Sequence, residues 1–201
     1  MDIKTNGIYE DVTFDIDCTI DEELTGAKFT RCSFQGMDLE GIVTTKCTFS
    51  ECNFKAVRLN ASKHVHSAFT NCLFDYANLF SSRFEDCKML GSSFPQVNFM
   101  GILIIKGDWS YTNLRLANLK GQELREVNFS KADMYKCILD KADLRGADLS
   151  FAILSQASLS GAKLQDANVE GVDFKSANIK GAFMDYTQAV SLARSFGVII
   201  A

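Results

Sequence analysis

Large apolar residues recur every five positions along this chain, a spacing that neither a strand (period 2) nor an α-helix (period 3.6) asks for. From Leu144 the series runs forward through Leu149, Leu154, Leu159, Leu164, Val169, Phe174, Ile179 and Met184. It runs back through Leu139, Met134, Phe129, Leu124, Leu119, Leu114 and Trp109, and on to Phe14. Thr19, Thr44 and His64 are its polar members, and no insertion shifts the frame between 14 and 184. Two places before each large residue stands a second, mostly small one. It is often Cys or Ser in the N-terminal half (Cys32, Cys47, Cys52, Ser67). It is Ala from Ala142 through Ala182, with Val172 the exception. Between the two, Asn or Asp is common, as at Asn78, Asn98, Asp143 and Asp148.

If each five-residue word makes one short edge and one turn, the large and small residues point inward together and the other three point out. Four edges close a square coil of about 20 residues, and coils stacked about 4.8 Å apart pair their backbones. Stepping by twenty supports this reading. Phe14, Phe34, Phe54, Phe74 and Phe94 fall in one column, Phe29, Phe49 and Phe69 in another, and Gly41, Gly101, Gly121, Gly161 and Gly181 at one corner. The pattern predicts an all-β solenoid of about nine coils, roughly 40 Å long at that spacing. Residues 1–13 read as a lead-in, 14–184 as the solenoid and 185–201 as a departure from it. The stretch 100–110 is the weakest. Ile102 is too large for a small slot, Gly107 leaves one empty, and Leu103 and Ile105 point outward, so a kink or a change of turn type is expected there.

In the last segment, Asp185 or Thr187 can cap a helix along which Ala189, Val190, Leu192, Ala193 and Phe196 recur at helical spacing, with Gly197 to end it. A solenoid end exposes its core and unpaired backbone groups, so the helix is expected to cover it. The apolar residues left over, Phe183, Val190, Phe196, Val198, Ile199 and Ile200, are expected to receive a second copy of the chain.

Composition adds mainly exclusions. No apolar run reaches the length of a spanning helix, and the N-terminus lacks a signal-peptide pattern, which favours the cytoplasm. Six of the seven cysteines (Cys32, Cys47, Cys52, Cys72, Cys87, Cys137) occupy small inward slots and read as buried hydrophobes in a reducing compartment; Cys18 lies outside them. His64 takes an inward position and His66 a corner, so they diverge and do not suggest a shared metal. No phosphate-binding, dinucleotide or nucleophile motif occurs. No catalytic, metal or cofactor residues are therefore assigned, and no enzyme activity is expected. The net charge of −4 is concentrated in residues 1–24, while the rest is formally +3, which is not the balance of a nucleic-acid-binding chain.

The repeated Ala-[Asp/Asn]-Leu-x-x word resembles the pentapeptide-repeat family, whose fold is a right-handed quadrilateral β-helix. "FTNCLFDYANLFSSRFEDCKMLGSSF" (69–94) resembles the middle coils of its Qnr-type quinolone-resistance members, and "SANIKGAFMDYTQAVSLARSFGVIIA" (176–201) the C-terminal segment of its MfpA-type members. The resemblance implies a DNA-mimicking homodimer joined at the C-terminal ends. Such a dimer binds DNA gyrase, or topoisomerase IV, where the DNA segment would lie, and inhibits the enzyme or protects it from quinolones. It implies no direct contact with nucleic acid or membrane and no cofactor. DNA mimicry needs acidic faces. The candidates are Asp108 with Asp148 on one face and Glu123 with Asp143 on another, although Lys88 shares the first and Lys63, Arg83 and Lys163 the second. Phe80 and Met100, one coil apart, offer an apolar partner contact. The alternative reading is a repeat scaffold for another cytoplasmic protein.

Overall fold

The computed structural model describes residues 2–15 and 17–200. The chain divides into two units, 1–103 and 104–201, each wound from the same word. The described strands are β1 (Asp2–Ile3), β2 (Ile8–Glu10), β3 (Thr19–Ile20), β4 (Glu23–Thr25), β5 (Lys28–Thr30), β6 (Val43–Thr45), β7 (Thr48–Ser50), β8 (Lys63–Val65), β9 (Ala68–Thr70), β10 (Arg83–Glu85) and β11 (Leu103–Ile105). One helix, α1 (Tyr186–Ser195), follows.

The N-terminal unit is a four-sided β-helix with parallel pairing at a step of twenty. One face pairs β4, β6, β8 and β10 with Leu24, Thr44, His64 and Phe84 in register. The next pairs β2, β5, β7 and β9 with Tyr9, Phe29, Phe49 and Phe69 in register. Pairing begins before residue 14, because Tyr9 continues the five-residue frame and its ring stacks on Phe29 at 5.0 Å. The inward rings form ladders at the coil spacing: Phe29–Phe49 at 4.8 Å and 2°, Phe34–Phe54 at 4.8 Å and 1°, Phe54–Phe74 at 4.9 Å and 6°. Neighbouring ladders meet edge to face, as Phe49–Phe54 do at 70°, the arrangement that ring quadrupoles favour.

Strands are few because most words spend their length on turns. By formal strands the longest ladder counts five rungs, fewer than the nine coils the sequence period predicted. Elsewhere the step of twenty survives as single-residue bridges such as Asp143↔Lys163 and Ser158↔Asn178.

Two turn types account for the difference. In the first, the amide two places before the next large residue bonds back across the turn, as Met37 N does to Phe34 O at 3.0 Å and Ala147 N to Leu144 O at 3.0 Å. The residue before that amide has positive φ, Gly36 at 72° and Gly146 at 69°, as a type II turn requires. In the second, the turn is open, and the small residue's own side chain covers the backbone instead. Cys52 Sγ donates to Ser50 O at 3.4 Å and to Phe29 O of the preceding coil at 3.5 Å. Cys72 and Cys87 do the same. The Cys slots of the N-terminal unit and Ser67 thus stand in open turns, whereas Ser62, Ser82 and Ser92 stand in closed ones, as do the Ala slots of the C-terminal unit.

The change of turn type expected near 100–110 is present. The overfilled slot is not: Ile102 is fully buried, as are Met37 and Ile42 in equivalent slots, because a closed turn leaves room for a larger side chain. Leu103 is half exposed. Most words also place one residue at positive φ, and only part of these are glycines; Leu116 (63°), Tyr111 (57°) and Phe151 (56°) hold it too. The turn imposes that conformation on whatever residue stands there.

Polar members of the core are satisfied internally. His64 is buried, with Nδ1 2.7 Å from Thr44 Oγ1 and Nε2 2.9 Å from Ser62 Oγ, and its ring lies 4.6 Å from Phe84. Burial pushes its pKa down to about 3. Among the described residues, no helix is long and apolar enough to cross a membrane.

Candidate interaction surfaces

The C-terminal unit presents four outward faces, each named here for its first inward residue. On the Trp109 face the outward residues are Asp108, Ser110, Asn128, Ser130, Asp148, Ser150, Asn168 and Glu170. Between its corners this face carries three carboxylates and no Lys or Arg; Lys106 and Lys131 stand at the corners that border it. The local reason is a repeated side-chain turn. Asp108, Asn128, Asp148 and Asn168 each accept the amide two residues on, at 3.0, 2.9, 2.8 and 3.1 Å. Asn128 also donates to Asp108 Oδ1 at 3.0 Å, tying adjacent coils. Bridges Asp108↔Asn128 and Asn128↔Asp148 put the two aspartates two coils apart, about 10 Å at the usual strand spacing. At one bordering corner, Lys106 is engaged by Glu126 at 2.9 Å. The expected Asp108 and Asp148 therefore do share a face, and Glu170 joins them. Glu170 was missed because its column otherwise reads Ser110, Ser130, Ser150; sorting the charges by twenty would have shown it.

The Leu124 face differs. Glu123 and Asp143 are paired across coils there, but Asp143 is clasped by Arg145, through Nε at 2.8 Å and a second, shorter contact from Nη2. Lys163 approaches Asp143 to 4.0 Å. Hydrogen bonds from Arg145 hold the Asp143 carboxyl down at about 2. This pair presents little net charge to a partner.

Phe80 and Met100 share a face of the N-terminal unit, where both are exposed. They are set by the same device: their amides donate to Asn78 and Asn98 Oδ1, each at 3.1 Å. Leu103 flanks a different edge, so it does not extend their patch. His66 sits at a corner with φ 50°, away from the buried His64. All seven thiols are free, and burial pushes Cys87 up to about 11 and Cys137 up to about 12.

At the C-terminal end Asp185 caps α1, accepting from Thr187 N (2.9 Å) and Gln188 N (3.4 Å), while Gln188 Oε1 accepts from Asp185 N (2.9 Å). This capping box is tied to the preceding coil: Asp185 Oδ2 accepts from Asp166 N at 2.8 Å, and buried Gln188 donates to Ala167 O at 2.9 Å. Gly197 (φ 85°) ends the helix, and Val198 N reaches Ala193 O at 3.1 Å, the Schellman pattern. Phe183, Phe196, Val198 and Ile200 remain largely exposed, Ile199 is 93% exposed, and Val190 is half-buried.

The pentapeptide-repeat family model matches residues 112–150 and 152–185, with eight copies of the repeat. No curated protein matches the chain. Among solved structures, a trypsin-treated QnrB1, described as a plasmid-mediated fluoroquinolone resistance protein, matches with a TM-score of 0.86 at 20% identity, over 98% of this chain and 99% of that one. Full-length QnrB1 matches with a TM-score of 0.69 at 20% identity, over 96% and 98%. The five-residue word running from Phe14 to Met184, the step-of-twenty pairing in both units and the likeness to QnrB1 at 20% identity make the chain a β-solenoid of five-residue words with the fold seen in QnrB1, and its residues 112–150 and 152–185 fit the pentapeptide-repeat family model.

Proposed function

We propose that this protein binds a type II topoisomerase, DNA gyrase in the first instance, on the surface that enzyme uses for DNA, and that it thereby inhibits the enzyme or protects it from quinolones. The observation that carries the reading is the Trp109 face, with Asp108, Asp148 and Glu170 and no cation between its corners. A basic DNA-binding saddle attracts such a face for the reason it attracts a duplex: opposite potentials steer the encounter and displace counterions. The fold shared with a fluoroquinolone resistance protein supports the same reading. The chain acts as a homodimer joined through Phe183, Val190, Phe196, Val198, Ile199 and Ile200, which cover one another's exposed apolar surface. Its free thiols, six of them buried, suit a reducing cytoplasm.

Competition tests the contact. Immobilised gyrase should capture the protein at about 10 μM or below, and a DNA duplex should displace it. No capture at that concentration, or capture unaffected by saturating duplex, would overturn the reading. Light scattering tests the assembly: Phe196→Glu with Ile199→Glu should convert a dimer to a monomer, and an unchanged mass removes the C-terminal joint.

A further inference from the structure

The face next to the acidic one has the opposite character. On the Leu114 face, Tyr111, Leu116, Phe151 and Ile153 stand largely exposed, with Tyr135 among them. Four cations share it, Arg115, Lys131, Lys136 and Lys175, and the first three are each held against a tyrosine. Arg115 lies 4.4 Å from the Tyr135 ring centre and Lys136 5.2 Å from it; Lys131 lies 5.0 Å from that of Tyr111. Lys131 Nζ also donates to the Tyr111 hydroxyl at 2.7 Å. The outward carboxylates of this face are Asp133, 2.9 Å from Arg115, and Asp173. Phe151 lies flat on Gly171: a Cβ there would stand 2.4 Å from the Phe151 ring. The glycine thus leaves the place that the ring fills.

We propose that this face docks an acidic segment of another protein that carries apolar side chains, by a contact independent of the topoisomerase reading. Charge complementarity names the occupant, because four cations against two carboxylates leave the face net positive on a chain that is net negative. Cations already fixed over rings lose little side-chain freedom when a carboxylate arrives. Leu116, Phe151 and Ile153 supply apolar surface of the kind that anchors an interface, beside the Tyr and Arg enriched at binding hot spots. Single-stranded nucleic acid fits less well. It needs open aromatic faces for stacking, whereas Tyr111 and Tyr135 already hold cations and the remaining anchors include branched aliphatics.

The test uses the full chain and three labelled probes in fluorescence anisotropy: a synthetic peptide of Glu, Leu and Tyr, the same peptide with Gln for Glu, and a single-stranded DNA oligonucleotide. The acidic peptide should bind saturably, with the neutral one weaker by on the order of tenfold. Arg115→Glu with Lys131→Glu should weaken the acidic peptide by on the order of tenfold, and so should Phe151→Ser on its own. Lys120→Glu with Lys180→Glu, the same charge change on the neighbouring Leu119 face, should leave binding within about twofold. No saturable binding of the acidic peptide, equal binding of the neutral one, equal loss in the Lys120/Lys180 control, or tighter binding of the oligonucleotide each overturns the proposal.

Discussion

The N-terminal unit fills its core mainly with Phe, Cys and Ser, the C-terminal unit mainly with Leu and Ala, and the Cys and Ala slots differ in their turns. An open turn leaves carbonyls inside the coil that a side chain in the small slot can serve: Cys52 and Cys72 do so with Sγ, Ser67 with Oγ. A closed turn satisfies its own carbonyl through an amide, as Ala162 N does to Leu159 O at 3.0 Å, and a methyl then suffices. Cys in an N-terminal slot thus goes with an open turn, while Ser serves both kinds: Ser82 N closes its turn on Leu79 O at 3.0 Å and its Oγ donates to Leu59 O at 2.6 Å, since a buried polar group must find a partner or destabilise the fold.

The largest expected effect sharpens the comparison through the aromatic ladders. Phe54 stacks on Phe34 and Phe74, and Phe54→Ala should lower unfolding free energy by about 3–5 kcal/mol. Leu144→Ala, between Leu124 and Leu164 in its column, should fall toward the lower part of a range of about 2–5 kcal/mol. Urea denaturation of the two variants measures both, and a larger loss for Leu144→Ala would break the contrast.

Acid comes next. Folded His64 has a pKa of about 3 against 6.5 for an unburied histidine, so the unfolded chain takes up a proton that the folded chain refuses. Thr44, Ser62, Ser67, Phe69 and Phe84 surround it, and none carries a charge to offset that proton. Stability is whole above pH 6.5 and declines as pH falls toward 3, by at most about 1.4 kcal/mol per pH unit. Hydrogen exchange should show the N-terminal unit loosening first between pH 6 and 4. Equal loosening of both units, or an unchanged slope in His64→Phe, contradicts this account.

Smaller effects test the slots and corners. Ser67→Ala removes the acceptor of Cys47 N (3.2 Å) and of Thr44 Oγ1 (3.1 Å) and should cost about 1–3 kcal/mol. Cys137→Ala, in a closed turn, should cost about 1 kcal/mol, mostly as lost packing. Leu116→Gly relieves a φ of 63° and should change stability by less than about 1 kcal/mol, upward if relief outweighs the freedom glycine adds to the unfolded chain. Thermal melts rank the three.

Much of this was legible in the five-residue period. The inward columns, the buried cysteines, the divergence of His64 from His66 and the cap at Asp185 all follow from position in the word, because the word fixes which way each side chain points. The turn types were not legible, since Cys in a small slot reads first as a hydrophobe and the carbonyl it serves lies a coil away. Nor was the cancellation of Asp143, which depends on how Arg145 folds back onto its own word. Glu170 and the Leu114 face were within reach but scattered, because residues that share a face are separated by twenty positions and interleaved with three other faces.

Supercoiling by gyrase, with and without ciprofloxacin, tests the central claim most directly. The wild-type protein should slow supercoiling or restore it in the presence of the drug at micromolar concentration. Asp108→Lys with Asp148→Lys and Glu170→Lys should weaken that effect by on the order of tenfold. No effect of the wild-type protein in either condition, or a triple variant as active as the wild type, would contradict the account.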